Sequence, residues 1–381
     1  MRILRICYEY PPPWAGLTPG PFELTRAQAN DGHQIRYLCR GWPRRPSEPV
    51  ENVRVRRLPS ALPKLHLFAT TSVAAFPFAL AWQNWADVIH GHGHLAIYYH
   101  LWRRLFGGKT PYVLHLHTAM AGRHARDIAQ AQQMGFWLRR WERPLHILSD
   151  KVGCQIADAV ICVSESVREQ ALEHYGVAPE KVHVVTNGVN TELFSAEGDN
   201  LREQFGFAPD DRIIMFAGII RSVKRPELLL NALNHLPPQW KVLFVGNGPS
   251  VPMLQASAEA QGLAERVHFT GLIPYRELGA YYRSADIFAM SSIYEGFPKV
   301  VLEALACGVP VITTPSFTVS TDLQPYVQLI EDVSPEGIAK SAERTFGLKV
   351  DTDLIEREYS WRKKVADIAA IYRQIGVSVD G

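Results

Sequence analysis

The sequence predicts an α/β chain built from two doubly wound, parallel-sheet domains that face a central cleft. Three observations carry this expectation. Short β-branched or apolar runs alternate with helical patterns almost throughout the 381 residues. Those runs are continuous rather than alternating, which suits strands covered on both faces. The alternation also occurs twice, broken by a polar stretch over residues 195–211. At roughly 150 residues per domain, two domains is the natural division. The expected boundaries are 1–190, 191–355 and a terminal segment, 356–381.

In the first series, strands are expected at residues 3–8, 34–38, 53–58, 88–91, 112–117, 159–163 and 181–185. Each is a short apolar or β-branched run. Helical patterns lie between most of them, notably over 22–31, 67–85 and 125–148. In the second series, strands are expected at 213–217, 241–245, 267–269, 287–290 and 310–313. Helices are expected at 226–235, 251–261, 275–284 and 300–306, and an amphipathic helix at 361–375. Ligands of such sheets bind beyond the carboxyl ends of the strands. Gly16, His117 and Glu295 all fall at such positions.

Composition excludes several classes. Hydrophobic residues make up 47% and charged residues 20%. This is not a disordered chain, a collagen-like fibre or a disulfide scaffold. The five cysteines lie far apart and form no CxxC pair, so they read as buried thiols of a reducing, cytoplasmic compartment. No uninterrupted apolar core follows the N-terminus, so no signal peptide is expected. Residues 65–86 carry no charge. Thr70, Thr71, Ser72 and Pro77 interrupt them, and a buried helix is expected rather than a membrane span.

The net charge of +2 is unevenly placed: +8 over residues 1–190 and −6 over the rest. Arg36, Arg40, Arg44, Arg45, Arg54, Arg56, Arg57 and Lys64 form the densest basic stretch. It reads either as a solvated face or as a surface for an anionic partner, a phospholipid membrane or a phosphorylated acceptor. Nucleic acid is not expected, because no binding motif accompanies the charge. No GxGxxG, Walker or HExxH motif is present. His90, His92 and His94, with His115 and His117, invite a metal reading, but no cysteine or carboxylate stands near at zinc-site spacing.

The segment from Glu295 to Val311 is the most informative. Glu295 and Glu303 stand eight residues apart across the start of a helix. The amides of Phe297, Lys299 and Val300 would lie beside Glu295 at the helix N-terminus, an anion site. Carboxylates beside a phosphate site suit sugar and ribose hydroxyls.

This segment resembles the E-x7-E motif of the retaining, nucleotide-sugar glycosyltransferases of GT-B fold in family four. Ala15-Gly16 with Gly32-His33, Val113 to His117, Val163-Ser164 and Asn187-Gly188-Val189-Asn190 are similar to that family's other segments. So are Phe216 to Lys224, Val245 to Pro249 and Val267 to Gly271.

The resemblance implies roles. Lys224 would neutralise the donor diphosphate, with Arg221 taking over from an arginine that the family carries two residues earlier. Glu295 would hold the transferred sugar and Glu303 the ribose. Gly16 would let the backbone approach the phosphates, and His117 would lie near the reacting sugar, with His115 a second candidate. The first domain would bind acceptor, the second donor, and the terminal helix would pack back on the first. No metal or cofactor is implied, since cationic side chains and amides stabilise the charge. The acceptor would be lipid-linked or at a membrane surface, or alternatively a soluble sugar or small molecule. A non-catalytic sugar-nucleotide-binding relative is a third reading.

Three segments depart from the family pattern. Ile219 stands where the family has arginine, and Arg225 where it has glycine. Residues 315–321 replace a glycine pair. Pro19-Gly20-Pro21 stiffens the glycine loop.

Overall fold

A computed structural model describes residues 1–7, 9–12, 19–41, 47–58, 85–93, 107–119 and 143–379, together with Phe78, Trp82, Ile97 and Leu105. The chain divides into two compact units. The first comprises Met1–Gly188 and Trp361–Gly381, the second Val189–Ser360.

The first unit is built on seven strands: β1 Arg2–Ile6, β2 Gln34–Arg40, β3 Val53–Leu58, β4 Val88–His92, β5 Tyr112–Leu116, β6 Ala159–Cys162 and β7 Val182–Val184. All pair in parallel, in the order β3-β2-β1-β4-β5-β6-β7. Their apolar runs are long because both faces are covered. The sequence reads β1 and β5 slightly long. β5 stops at Leu116, which leaves His117 in the turn beyond it.

Among the described residues, three helices of this unit precede the crossing to the second: α1 Pro19–Asn30, α2 Arg143–Ile156 and α3 Glu165–Tyr175. The Ser164 side chain caps α3 by accepting from the Val167 N–H, and Gly176 ends it in left-handed conformation, φ 60°. α2 runs eight residues past the expected end at 148. The polar Ser149-Asp150-Lys151 suggests a stop there. In fact Asp150 is buried and accepts a hydrogen bond from the Tyr175 hydroxyl at 2.9 Å. The expected helix over 67–85 and the start of the one over 125–148 lie outside the described residues, as does Gly16.

The second unit has six strands: β8 Arg212–Ala217, β9 Trp240–Val245, β10 Val267–Phe269, β11 Ile287–Met290, β12 Val311–Thr313 and β13 Val327–Leu329. They too are parallel, in the order β10-β9-β8-β11-β12-β13. Both sheets therefore reverse their winding beside the first strand: between β1 and β4, and between β8 and β11. These switch points are where doubly wound sheets bind ligands. β13 was not legible, since three residues with two exposed carry no periodic signal.

The helices here are α4 Pro226–Ala232, α5 Val251–Ala260, α6 Leu278–Arg283, α7 Lys299–Ala306, α8 Pro335–Thr345 and α9 Thr352–Tyr359. The pattern of apolar residues leaves α8 and α9 unassigned, although each has a sequence-visible cap. Ser334 accepts from the Gly337 N–H, and Asp351 from the Leu354 N–H. The chain then re-enters the first unit as α10, Trp361–Gln374. Its Trp361, Val365, Ile368, Ile371 and Tyr372 join Ile3, Leu24, Val88 and Val113 in one buried cluster.

Gly246 and Gly248, just beyond β9, explain why a two-glycine turn stands there without a third. Gly246 has φ +126°, and a Cβ on it would lie 2.1 Å from the Gly218 carbonyl oxygen. A Cβ on Gly248 would lie 2.2 Å from the Ile220 carbonyl oxygen. The glycines let the turns after β8 and β9 touch backbone to backbone. Gly248→Ala should therefore destabilise the protein by about 1–3 kcal/mol, the usual cost of overpacking. Its unfolding midpoint in denaturant should fall, and an unchanged midpoint would contradict the contact.

Candidate functional site

The carboxyl edge of the second sheet gathers most of the residues singled out in the sequence. β8 ends at Ala217, and the chain passes into a single 3-10 turn, Ser222–Lys224. Arg225 follows in left-handed conformation, φ 45° and ψ 49°. A side chain there costs roughly 1–2 kcal/mol, which is why glycine suits the position. Here the guanidinium offsets the strain. Its Nε donates to the Ser291 carbonyl at 2.8 Å and its Nη2 to the Ser292 carbonyl at 3.3 Å. The Ser291 hydroxyl shares its hydrogen between the Lys224 and Arg225 carbonyls, at 2.6 and 3.0 Å. The Ile293 N–H donates to the Val223 carbonyl at 3.2 Å. The loop after β8 is thereby stapled to the loop after β11.

The staple sets Lys224 against Glu295, and the Lys224 ammonium donates to the Glu295 carboxylate. Both side chains remain partly open, at 26% and 18% exposure. The loop after β12 props the same turn. The Glu295 N–H donates to the Ser316 carbonyl at 2.9 Å, and the Thr314 hydroxyl to the Ser292 carbonyl at 2.6 Å. So the departure at 315–321 supports the backbone of Glu295. Arg221 is exposed at the entry to the 3-10 turn, and its side chain has no hydrogen-bond or ion-pair partner among the described residues. Arg225 is committed to backbone carbonyls. Of the two arginines, Arg221 is the one open to a ligand.

Lys299 and Val300 open α7, so their N–H groups have no acceptor within the helix. Phe297 is buried, its ring edge-on to Phe317 at 5.8 Å. Glu303 lies on the inner face of α7 at 4% exposure. Its carboxylate accepts from the Tyr282 hydroxyl at 3.0 Å and, more weakly, from the Tyr275 hydroxyl at 3.4 Å. The two tyrosines were not legible as site residues, because nothing in Tyr275-Arg276-Glu277 or Tyr281-Tyr282-Arg283 marks which ring turns inward. They take two of the roughly four lone-pair directions of the carboxylate.

One Asp-x-Asp spacing, a pattern that can hold a metal, does occur, at Asp351 and Asp353. Asp351 is engaged as the cap of α9, accepting from the Leu354 N–H at 3.0 Å.

In the first unit, His117 stands half-buried at the carboxyl end of β5. His90 and His92 on β4 and His115 and His117 on and after β5 stack with ring centroids 4.6–5.3 Å apart. His90 Nε2 meets His115 Nδ1 at 3.1 Å, and His92 Nδ1 meets His117 Nε2 at 2.8 Å. His90 Nδ1 meets the Tyr372 hydroxyl at 2.5 Å. Burial, then neighbouring Arg5 and the other rings, holds His90 well below the ordinary histidine range; burial and the same kinds of neighbour do so for His92 and His115. Ligand atoms of His90, His92 and His115 lie within 4.8 Å of one another. Rings stacked in this way aim their in-plane lone pairs along parallel planes rather than at one point. The Arg5 guanidinium also lies 3.0 Å from His92 Nε2, so the geometry does not suit a cation.

Residues 20–193 match the family model described as Glycosyltransferase Family 4, and residues 197–349 that of Glycosyl transferases group 1. The chain is 26% identical over 324 residues to a D-inositol 3-phosphate glycosyltransferase of Xylanimonas cellulosilytica, covering 78% of this chain and 74% of that protein. It is 26% identical over 336 residues to an uncharacterized glycosyltransferase of Methanocaldococcus jannaschii, covering 82% and 80%. Among solved structures, sucrose-phosphate synthase of Thermosynechococcus elongatus superposes with a TM-score of 0.82 at 21% identity, over 98% of this chain and 99% of that one. Anabaena HepE in complex with UDP and glucose does so with a TM-score of 0.75 at 16% identity, over 98% and 100%. At these identities the structures speak to the fold, which is GT-B.

The buried carboxyl of Glu303 yields a pH dependence. Burial pushes it above the ordinary glutamate range, against the pull of Lys299 and the two tyrosines. A carboxyl that holds its proton more tightly when folded stabilises the fold at low pH. That contribution is lost as pH rises through its folded value. Glu303→Gln should thus gain stability relative to wild type between about pH 4 and pH 8. Denaturation midpoints at both ends of the range check this. Parallel pH dependence of the two proteins would contradict it.

Proposed function

Because the chain belongs to the group 1 glycosyltransferases, we propose that it transfers a hexose from a UDP- or GDP-sugar to a hydroxyl acceptor with retention of configuration. The observation that carries the reading is the Lys224–Glu295 pair at the switch point of the second sheet. Cation and carboxylate neutralise each other there while both stay partly open. A donor offers each a better partner: diphosphate oxygens for Lys224 and sugar hydroxyls for Glu295. Arg221, exposed in the same loop, adds a second cation, and the first amides of α7 add donors near the phosphates. Solved structures of the Anabaena neighbour hold UDP and UDP-glucose, which supports a uridine donor.

In this scheme the bond from the sugar's anomeric carbon to the diphosphate oxygen breaks. A bond from the same carbon to the acceptor oxygen forms on the same face. The acceptor's proton passes to the departing diphosphate. Lys224 and Arg221 stabilise the charge that develops on the leaving group, with no metal ion called for. Glu303 holds the ribose through the lone pairs that its tyrosines leave. Gly16 keeps its proposed role at the phosphates, and His117 serves the transferred sugar. Enzymatic transfer is favoured over a purely binding role because Lys224, Glu295 and Glu303 are all present.

A basic, aromatic face favours an acceptor at an anionic membrane surface. Arg54 and Arg56 are exposed on β3 at the sheet edge, and Arg36 is paired in register with Arg54. The Arg36 guanidinium lies 4.1 Å from the Trp85 ring centroid and 5.2 Å from that of Trp82. The Arg56 guanidinium lies 5.5 Å from that of Phe78. Cations interleaved with indoles suit the headgroup region of a bilayer. Among the described residues no helix is long and apolar enough to cross a membrane. A soluble sugar or small molecule is the alternative acceptor.

Lys224→Ala should lower turnover about a hundredfold or more, since one such donor is typically worth about 2.7–4 kcal/mol. Arg221→Ala should cost a comparable amount. Glu295→Gln should reduce kcat more than nucleotide affinity, whereas Glu303→Gln should raise donor KM. Steady-state kinetics with UDP- and GDP-sugars check these, and wild-type turnover in Lys224→Ala would contradict the assignment. For the membrane face, Arg54→Gln with Arg56→Gln should weaken co-sedimentation with anionic vesicles about thirtyfold, at about 1 kcal/mol per basic residue. Binding should also fall with salt. Retention that is unchanged by both treatments would rule the face out.

A further inference from the structure

The first unit contains a positive charge that the donor chemistry does not use. Arg5 lies in β1 and is fully buried. A buried guanidinium is expensive unless it is paired, and among the described residues no carboxylate pairs with Arg5. Its hydrogen bonds run elsewhere. One Nη donates to the Gln28 side-chain carbonyl on α1. The other donates to His92 Nε2 at 3.0 Å.

This second bond fixes more than a distance. A guanidinium has five donors, no acceptor, and does not lose its charge in proteins. His92 Nε2 must therefore present its lone pair, and the one proton of the ring sits on Nδ1. That nitrogen is 2.8 Å from His117 Nε2. His92 Nδ1–H donates there, so His117 Nε2 accepts. The proton of His117 then sits on its other nitrogen, Nδ1. Each ring in the chain inherits its tautomer from the one before, and the arginine sets the first.

We infer that Arg5 is a positioning residue which, through His92, locks His117 in the Nδ1–H tautomer, so that His117 meets its substrate as a hydrogen-bond donor and not as a base. The substrate half of this statement rests on the reading that puts His117 at the transferred sugar. The tautomer half does not. The lone pair of His117 is turned onto His92. Protonation there would set two N–H groups against each other beside a fixed cation. A histidine held in this way can grip a sugar hydroxyl oxygen but cannot collect the acceptor's proton, which leaves that proton to the departing diphosphate.

Neither relay residue stands out as catalytic in the sequence. Arg5 is a lone charge inside the apolar run Ile3-Leu4-Arg5-Ile6-Cys7. His92 is the middle member of a histidine series that spacing alone ties to metal binding.

The test is the tautomer itself. Long-range proton–nitrogen correlation spectra of the full chain, labelled with 15N-histidine and free of substrate, distinguish protonated from unprotonated ring nitrogens. His92 and His117 should both show a protonated Nδ1 and a bare Nε2. Arg5→Met removes the donor at similar volume and should let both rings interconvert, averaging their nitrogen shifts. His92→Gln keeps an acceptor for Arg5 and a donor for His117 and should preserve the His117 pattern, whereas His92→Leu should lose it. A protonated Nε2 on His117 in the wild type would overturn the inference. So would a His117 pattern unchanged by Arg5→Met and His92→Leu alike. Failure of the glycosyl-transfer reading would appear elsewhere, as absent turnover by wild-type protein with these spectra intact.

Discussion

The ion pair between Lys224 and Glu295 is the contact on which the candidate site of the second unit turns. It closes a frame built from backbone carbonyls, the Arg225 guanidinium and the Ser291 and Thr314 hydroxyls. Arg225 ties its guanidinium to the carbonyls after β11, and Ser291 ties its hydroxyl back to the carbonyls of Lys224 and Arg225. Strands β8 and β11 are hydrogen-bonded neighbours, so the two loops leave the sheet side by side. The frame holds a cation and an anion apart from their bulk counterions and against each other. A ligand with a diphosphate at one end and hydroxyls at the other can replace both partners at once, without leaving either charge unpaired.

The first unit solves a different problem with the same sheet plan. Its switch point lies beside β1 and β4, and the polar groups there are neutral imidazoles ordered by one buried guanidinium. Burial holds His90, His92 and His115 well below the ordinary histidine range, and the inferred hydrogen-bond direction runs from Arg5 through His92 to His117. On the proposed reading, one unit presents open charge to a charged leaving group. The other presents an oriented, uncharged donor, which suits hydroxyls.

Much of this was legible in the sequence, and the misses have physical reasons. Two parallel sheets follow from continuous apolar runs alternating with helices, because a strand covered on both faces has no polar side to show. Glu295 and Glu303 could be chosen from spacing against a helix start, and Lys224 from the family resemblance. Their environments could not. Glu303 is a buried carboxylate held by Tyr282 and Tyr275, partners 21 and 28 residues away in the chain, and no local pattern encodes such a pairing. Arg225 looks like a departure that weakens the site until its left-handed backbone and its carbonyl partners are seen together. Asp351, in an Asp-x-Asp spacing, shows the reverse case: a pattern suggestive of metal binding serves as a helix cap. Strand β13 and helices α8 and α9 escaped because their apolar residues are too few or too local for a periodic signal.

The central claim is that the switch point of the second sheet is a site for the diphosphate of a nucleotide donor. Calorimetric titration of the wild-type protein with uridine, guanosine and adenosine diphosphates, each beside its parent nucleoside, tests it most directly. One diphosphate should bind at least tenfold more tightly than its nucleoside, a difference of about 1.4 kcal/mol, and the margin should shrink as salt screens Lys224 and Arg221. A nucleoside that binds as tightly as its diphosphate, or a margin indifferent to salt, would contradict the claim.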